Sequence, residues 1–441
     1  MQFYELVEVD VDGRTISLKD GDVEDLTSDF TSGIRARVLS DGAWGFASGK
    51  SVEETEKEDV LRRAERASRH NKASAFKDMV ESKALKGTFD IEPDKHPRDF
   101  SIGEIVDMLE DFTDVATTGQ VTSVDVSFIH SDISMKYENS EGSRCEFSMV
   151  KTGVSGKSVA KEGNNLQTAR ERSFGTGGIE VLEGFCDKCR EMGKRADALL
   201  DASSPKSGRM KAVLDPELAG VFVHEALGHS VEGDHIVNGN SILQGMLGEK
   251  IASEELTVKD DPTLPGLFGS YPFDWGGIPS QETVILDGGR LNTFLGSRET
   301  SASTGTSPTP NLRSSSYSDI PLIRMSNTYI DSGNSSFEEV MEEVNEGILL
   351  CGSRGGQVSP AEGFFQFNAE EGYSIDNGEK KERIRDVSMS GRTLKTLRDI
   401  VALSDKVSFN SGRCGKNGQT VSVSEGAPYV AVSEILVGGR E

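Results

Sequence analysis

The chain has 441 residues, 35% of them hydrophobic, and a formal net charge of −25 at pH 7. That length suits about two or three domains with a sizeable core, while the acidity argues against nucleic acid, whose phosphates require clustered Lys and Arg. No apolar run approaches the roughly 18 residues of a membrane span and no basic-then-apolar leader is visible, so a cytoplasmic protein with no membrane partner is expected. Five cysteines, an odd number, do not make a disulfide framework.

In chain order, the first fifty residues predict strands at Phe3–Val9, Arg14–Leu18 and Ile34–Leu39, separated by turn signals at Asp12-Gly13, Asp20–Asp22 and Asp41-Gly42. Trp44–Ala47 continues as another strand. A charged helix is predicted from Ser51 to about Lys72, with Ser51 and Glu54 in a capping-box pattern, and a second from Ser101 to about Thr113. Val121–His130, Ser134–Tyr137 and Cys145–Val150 alternate as strands, and Ile179–Leu200 has helical periodicity. Gly175–Gly178 before that helix could cradle an anion, but without a phosphate-loop Lys it reads as a plain turn. Cys186 and Cys189 form a lone C-x-x-C in mid-helix and read as ordinary helix thiols.

The Ser/Pro/Lys-rich stretch Ala202–Arg209 marks the expected boundary between residues 1–200 and 201–441. Beyond it, Lys211–Leu214 is a short strand, and Asp215-Pro216-Glu217 starts a helix with Leu218, Val221 and Phe222 on its buried face. Glu282–Leu286 and Arg290–Phe294 flank a hairpin signal at Asp287–Gly289. Ser336–Val344 predicts a helix, as does Gly391–Leu403. Strands are predicted at Ile348–Cys351, Phe364–Asn368 and Gly372–Ile375, followed by a turn at Asp376–Gly378, and over Thr420–Val437. The expected fold class is α+β: an N-terminal mixed module followed by a β-rich module.

The new helix runs into His224-Glu225-Ala226-Leu227-Gly228-His229. In the zinc-protease signature H-E-x-x-H, two histidines on one helical face bind the metal and the Glu is the general base. Here the spacing is one residue longer. At about 100° per residue, positions i and i+5 lie about 140° apart, so a regular helix would point His224 and His229 away from each other. A π-bulge would bring them together, and Gly228 lowers the cost of such a distortion.

Two histidines leave a catalytic zinc one protein ligand short. Glu232, Asp234 and His235 are local candidates. Cys414, in Gly412–Gln419, is the remote one: it sits between glycine-rich turns, and Arg413 and Lys416 nearby would favour its thiolate. Arg324 or a backbone N–H could serve as oxyanion partner, but nothing in the sequence selects either. His70, His96 and His130 are isolated and carry no chemistry.

Several segments together resemble the TldD/PmbA family of zinc peptidases: His224–Asp234 (HEALGHSVEGD), Asp41-Gly42 with Gly45–Ala47, Gly277–Asn292, Arg324–Tyr329, Gly355–Val358 and Cys414–Gln419. The resemblance spans nearly the whole chain, and its H-E-x-x-x-H and C-G-K-x-G-Q elements are those of the TldD branch. It implies that His224, His229 and Cys414 bind Zn²⁺ and that Glu225 is catalytic; His235 has no place in the pattern. It also implies unfolded or small peptides as substrates, an enclosed cavity, and a PmbA-like partner subunit in a heterodimer or larger complex. Two other functions fit the residues: a non-peptidase amide hydrolase using the same metal set, and a non-enzymatic, metal-stabilised peptide-binding partner.

Overall fold

The first strand of this computed structural model runs far longer than the local turn signals allow, and the reason is its place in a sheet. Residues 2–71 and 78–439 are described. Strand Phe3–Lys19 passes straight through Asp12-Gly13, because it is flanked on both sides. Gly13 pairs with Asp29 of strand Asp22–Ser40 and with Ser131 of strand Val121–Asn139. With both edges of the backbone engaged in ladders, the cost of breaking them outweighs the turn propensity. The same pairing fuses the two segments expected at 121–130 and 134–137 into one strand. Asp20-Gly21, in contrast, is a hairpin turn, with φ of 54° and 88°.

Seven strands make this N-terminal sheet. Its order runs Ala43–Gly49, Asp22–Ser40, Phe3–Lys19, Val121–Asn139 and Arg144–Glu162. The last of these carries both Lys86–Ile91, in parallel, and Asn165–Thr176. Helix Glu54–His70 begins at an N-cap Glu53 that makes no side-chain bond, so the expected Ser51–Glu54 box does not form; the Ser51 hydroxyl accepts from Glu53 N–H instead. The expected helix end at Lys72 lies outside the described residues. Helix Ile102–Ala116 does open on a full capping box, Ser101 with Glu104. The helix expected over 179–200 is interrupted: a 3₁₀ turn, Ile179–Leu182, is separated from helix Phe185–Ala198 by Gly184 at φ 77°. Phe112 and Phe185 meet edge-on at 5.1 Å and join the two long helices over the sheet.

After Gly208 the chain builds a nine-stranded and a six-stranded sheet. Strand Gly208–Leu214 is central in the larger one, between Glu346–Cys351 and Val430–Gly439. The helix that follows it, Pro216–Phe222, lies between the two sheets. Phe222 packs on Phe365 of the larger sheet at 5.1 Å, and Gly220 rests on the Glu425–Gly426 backbone of the smaller one. Strand Ser408–Lys416 forms one edge of the six-stranded sheet and turns through Asn417-Gly418 into strand Gln419–Ala427. Gly288 and Gly289, with φ of 51° and 76°, close the expected hairpin between Thr283–Asp287 and Arg290–Leu291. The single helix expected over 391–403 is only Thr393–Arg398. Ile400–Leu403 forms a strand on Val430–Gly439, where Ile400 and Leu403 are buried.

Candidate metal centre

One helical run positions both histidines. Asp215 caps it by accepting from Leu218 N–H at 2.8 Å, and Pro216 occupies the first helical position. Helix Pro216–Phe222 continues as a π turn over Val223–Leu227 and a 3₁₀ turn over Gly228–Val231. The widened turn brings the histidine rings to one side, 5.4 Å apart and nearly perpendicular at 88°. Gly228 serves a different purpose from the one expected. Its backbone is ordinary right-handed helix, but a Cβ there would lie 1.9 Å from the Met325 sulfur. Glycine is needed for packing, not for the distortion.

Cys414 arrives from the edge strand, with its sulfur 3.4 Å from His229 Nε2. One donor atom each from His224, His229 and Cys414 lie within 4.8 Å of one another, and all three residues are buried. That is close to the span allowed by two bonds of about 2.0–2.3 Å across one ion. Among the described residues neither buried ring nitrogen of His224 has a hydrogen-bond partner, a costly arrangement that coordination of a cation by one of them would relieve. The donor set therefore fits a zinc-type metal. Burial opposes charge here, yet the adjacent imidazoles pull the Cys414 thiol down to about 4, and the thiolate in turn raises His224 to about 9. His229, also buried, is raised well above the usual range by Glu232 and Cys414. Thiolate is the metal-binding form.

The expected helpers of that thiolate have other work. Arg413 points to the opposite face of its strand and is exposed. Lys416, on the same face as Cys414, is bonded to Glu232 at 2.9 Å, to Asp234 at 2.8 Å and to the Ile323 carbonyl at 3.1 Å. Glu232 in turn lies 3.0 Å from His229 Nδ1. With Nδ1–H donated to this carboxylate, Nε2 keeps its lone pair for the cluster. Burial disfavours the Glu232 charge, but His229 and Lys416 hold its carboxyl down at about 2. Glu232, Asp234 and His235 also converge as a trio, but the Lys416 ammonium already occupies it. His235 Nδ1 is bonded to the His229 carbonyl at 2.9 Å and lies outside the His224–His229–Cys414 group.

Glu225 is partly exposed, and its carboxylate lies 3.7 Å from His229 Nε2. It lines a cleft of about 690 Å³ between the N-terminal sheet and the ligand-bearing elements, together with Arg172, Glu217, Arg413 and Glu425. Arg324 is fully buried and donates to the Cys414 and Gln419 carbonyls, so it clamps the ligand hairpin and is not free to meet an oxyanion. Glu425, 3.9 Å from His224 Nδ1, went unrecognised in the sequence because it sits in a strand far from either motif. Glu232 had a local signal, its position three residues after His229. The remaining motifs stay quiet. The anion cradle at Gly175–Gly178 is filled by the chain's own Glu180, which accepts from Gly178 N–H at 2.6 Å. Cys186 and Cys189 are free, and burial pushes the Cys189 thiol up to about 12.

Residues 207–439 match the PmbA/TldA metallopeptidase C-terminal domain, 95–200 its central domain and 4–70 its domain 1. The chain belongs to the TldD/PmbA metallopeptidase family. A metalloprotease of Archaeoglobus fulgidus is 40% identical over 439 residues, covering all of both chains. A Saccharolobus solfataricus protein named zinc metalloprotease TldD homolog is 32% identical over 410 residues, 92% of this chain and 90% of its own. The crystal structure of TldE from Thermococcus kodakarensis superposes with a TM-score of 0.80 at 17% identity, over all of this chain and 97% of that one, and so shares the fold. This family member is a metalloprotease. Among the described residues, no helix is long and apolar enough to cross a membrane.

Proposed function

We propose that this metalloprotease hydrolyses peptide bonds in small or unfolded peptides, with Zn²⁺ held by His224, His229 and Cys414 and with Glu225 as general base. The observation that carries this reading is the convergence of three buried donors, from a distorted helix and a distant strand, to within 4.8 Å of one another. A zinc ion there supplies an acidified water and a polarising position for the scissile carbonyl. Three protein ligands leave a coordination position free, as catalytic sites require. Glu225, beside His229 and open to the cleft, accepts the proton of the attacking water and delivers it to the leaving amine. Glu232 fixes His229 in the tautomer that presents Nε2. A strand-like peptide in the cleft would account for acceptance of unfolded chains.

The same reading includes a PmbA-like partner subunit, a cytoplasmic location and a division of the chain at residue 200. The family and the relative named as a zinc enzyme support the metallopeptidase part of this reading, and the fold shared with TldE supports a partner of related fold. The test is zinc content and peptide cleavage in three proteins. Wild type should carry about one zinc per chain, Cys414→Ser little, and Glu225→Gln a full complement with cleavage reduced by roughly 10²–10⁴-fold. Full cleavage by Glu225→Gln would refute the mechanism, and zinc retained by Cys414→Ser would refute the ligand set.

A further inference from the structure

A second cavity, of about 320 Å³, lies between the N-terminal sheet and the segments around residues 271–275, 313–317 and 420–422. Its volume is at the small end of the range for ligand sites, about 300–1,000 Å³. The sheet paves it with two cross-strand rows: Val9, Met135 and Phe147 in one, and Val11, Ile133 and Met149 in the next. Every second residue of a strand shares a face, so the next position along the third strand after Phe147 and Met149 is Lys151. That lysine and Arg313 are both buried in the lining. Among the described residues neither makes an ion pair. Lys151 donates to the Phe268 carbonyl, and Arg313 to the Met325 and Ser422 carbonyls.

Among the described residues the one acid in the lining, Asp274, is already engaged. Its oxygens accept from the N–H groups of Gly276, Ile278 and Leu312, each at 2.9 Å. The cavity therefore offers an apolar pavement ending in two buried basic side chains that form no ion pair among the described residues, although the charges of Asp260 and Cys414 act on Arg313 from outside the lining. Burial, with Arg313 and Arg413 nearby, depresses the Lys151 ammonium well below its usual range, and an incoming anion would reverse that. The cavity is also tied to the metal centre. Val421, in its wall, pairs directly with Cys414 across the ligand hairpin, and Thr420 pairs with Gly415.

We propose that this cavity binds a carboxylate on a small apolar body, namely the C-terminal residue of a hydrophobic peptide, with Lys151 and Arg313 as its charge partners. The proposal rests on the reading that the substrates are peptides. It makes a free, apolar C-terminus a recognition element, anchored beside the hairpin that carries Cys414. Trp275 lines the cavity and reports on its contents.

The experiment is a titration of chelator-treated full-length protein with N-acetyl-Leu-Phe and with its C-terminal amide, followed by tryptophan fluorescence; Trp275→Phe serves as control. Cleavage of a longer peptide with the same C-terminus is measured separately on the zinc-loaded protein. The expected result is acid binding at least tenfold tighter than amide, a signal lost in Trp275→Phe, and a ratio reduced below about threefold in Lys151→Met. Equal binding of acid and amide by wild type would overturn the proposal without recourse to any variant. Binding of dodecanoate but not of the peptide acid would also overturn it, by assigning the cavity to a lipid. Intact cleavage with no acid–amide discrimination would refute the cavity alone. Intact discrimination with no cleavage by the zinc-loaded protein would refute the proposed peptidase mechanism alone.

Discussion

Two lysines of this protein are buried to almost the same degree, Lys416 at 8% exposure and Lys151 at 7%, yet they do opposite things. Lys416 is surrounded by acceptors: Glu232, Asp234 and the Ile323 carbonyl. Its charge is fully compensated, and it locks the carboxylate that orients His229. Lys151 has the Phe268 carbonyl and the ring of Phe268, but no carboxylate partner among the described residues. Burial alone therefore says little about a charged group. The partners decide whether it is part of the framework or available to a ligand.

The most disruptive way to test this contrast is to remove the compensated charge. Lys416→Met leaves Glu232 buried without its cation, and breaking a buried pair in this way costs about 3–5 kcal/mol; denaturant unfolding should register that loss, whereas Lys151→Met should cost far less. If the two variants are equally destabilised, the distinction fails.

A smaller effect is expected one bond closer to the proposed metal. Glu232→Gln keeps the shape but weakens the hold on His229 Nδ1, and zinc affinity should fall by roughly 10–100-fold, as for partners of ligating histidines in general. Competition with a chromogenic chelator measures this, and unchanged affinity would remove Glu232 from the positioning role.

The smallest effect concerns pH. A base whose folded pKa is depressed contributes stability that is present above its unfolded value, about 10.4, and is lost as pH falls through the folded value. Lys151 is depressed by burial, so wild-type stability should decline as pH falls from about 10.4 towards neutrality. Lys151→Met should lack that component of the slope. Parallel stability curves for the two proteins over that range would show that Lys151 keeps its ordinary pKa.

Much of the candidate metal centre was legible in the sequence because its signals are local. The Asp215-Pro216 start, the H-E-x-x-x-H spacing and the π turn it demands all follow from geometry within about four helical turns. Cys414 stood out by its turn-rich setting, and the family resemblance supplied the ligand role proposed for it. The hairpins at Asp20-Gly21 and Gly288-Gly289 were equally plain, since few residues tolerate positive φ. What misled was local propensity set against long-range pairing. Asp12-Gly13 is a turn signal that a doubly flanked strand overrides, and residues 400–403 follow a neighbouring strand instead of continuing a helix.

The sequence by itself determined the elements whose causes lie within a few residues: helix starts, tight turns, the π-bulged histidine pair and the acidic surface. Only the tertiary structure decided what Lys416, Glu232, Arg324, Gly228 and Lys151 do. Four depend on a partner that the chain brings from elsewhere, acids for Lys416, the Lys416 ammonium for Glu232, carbonyls for Arg324 and the Met325 sulfur for Gly228, and Lys151 depends on having no acid beside it among the described residues. Electrostatic and packing energies depend on distances in space, and strand pairing across tens to hundreds of residues sets those distances.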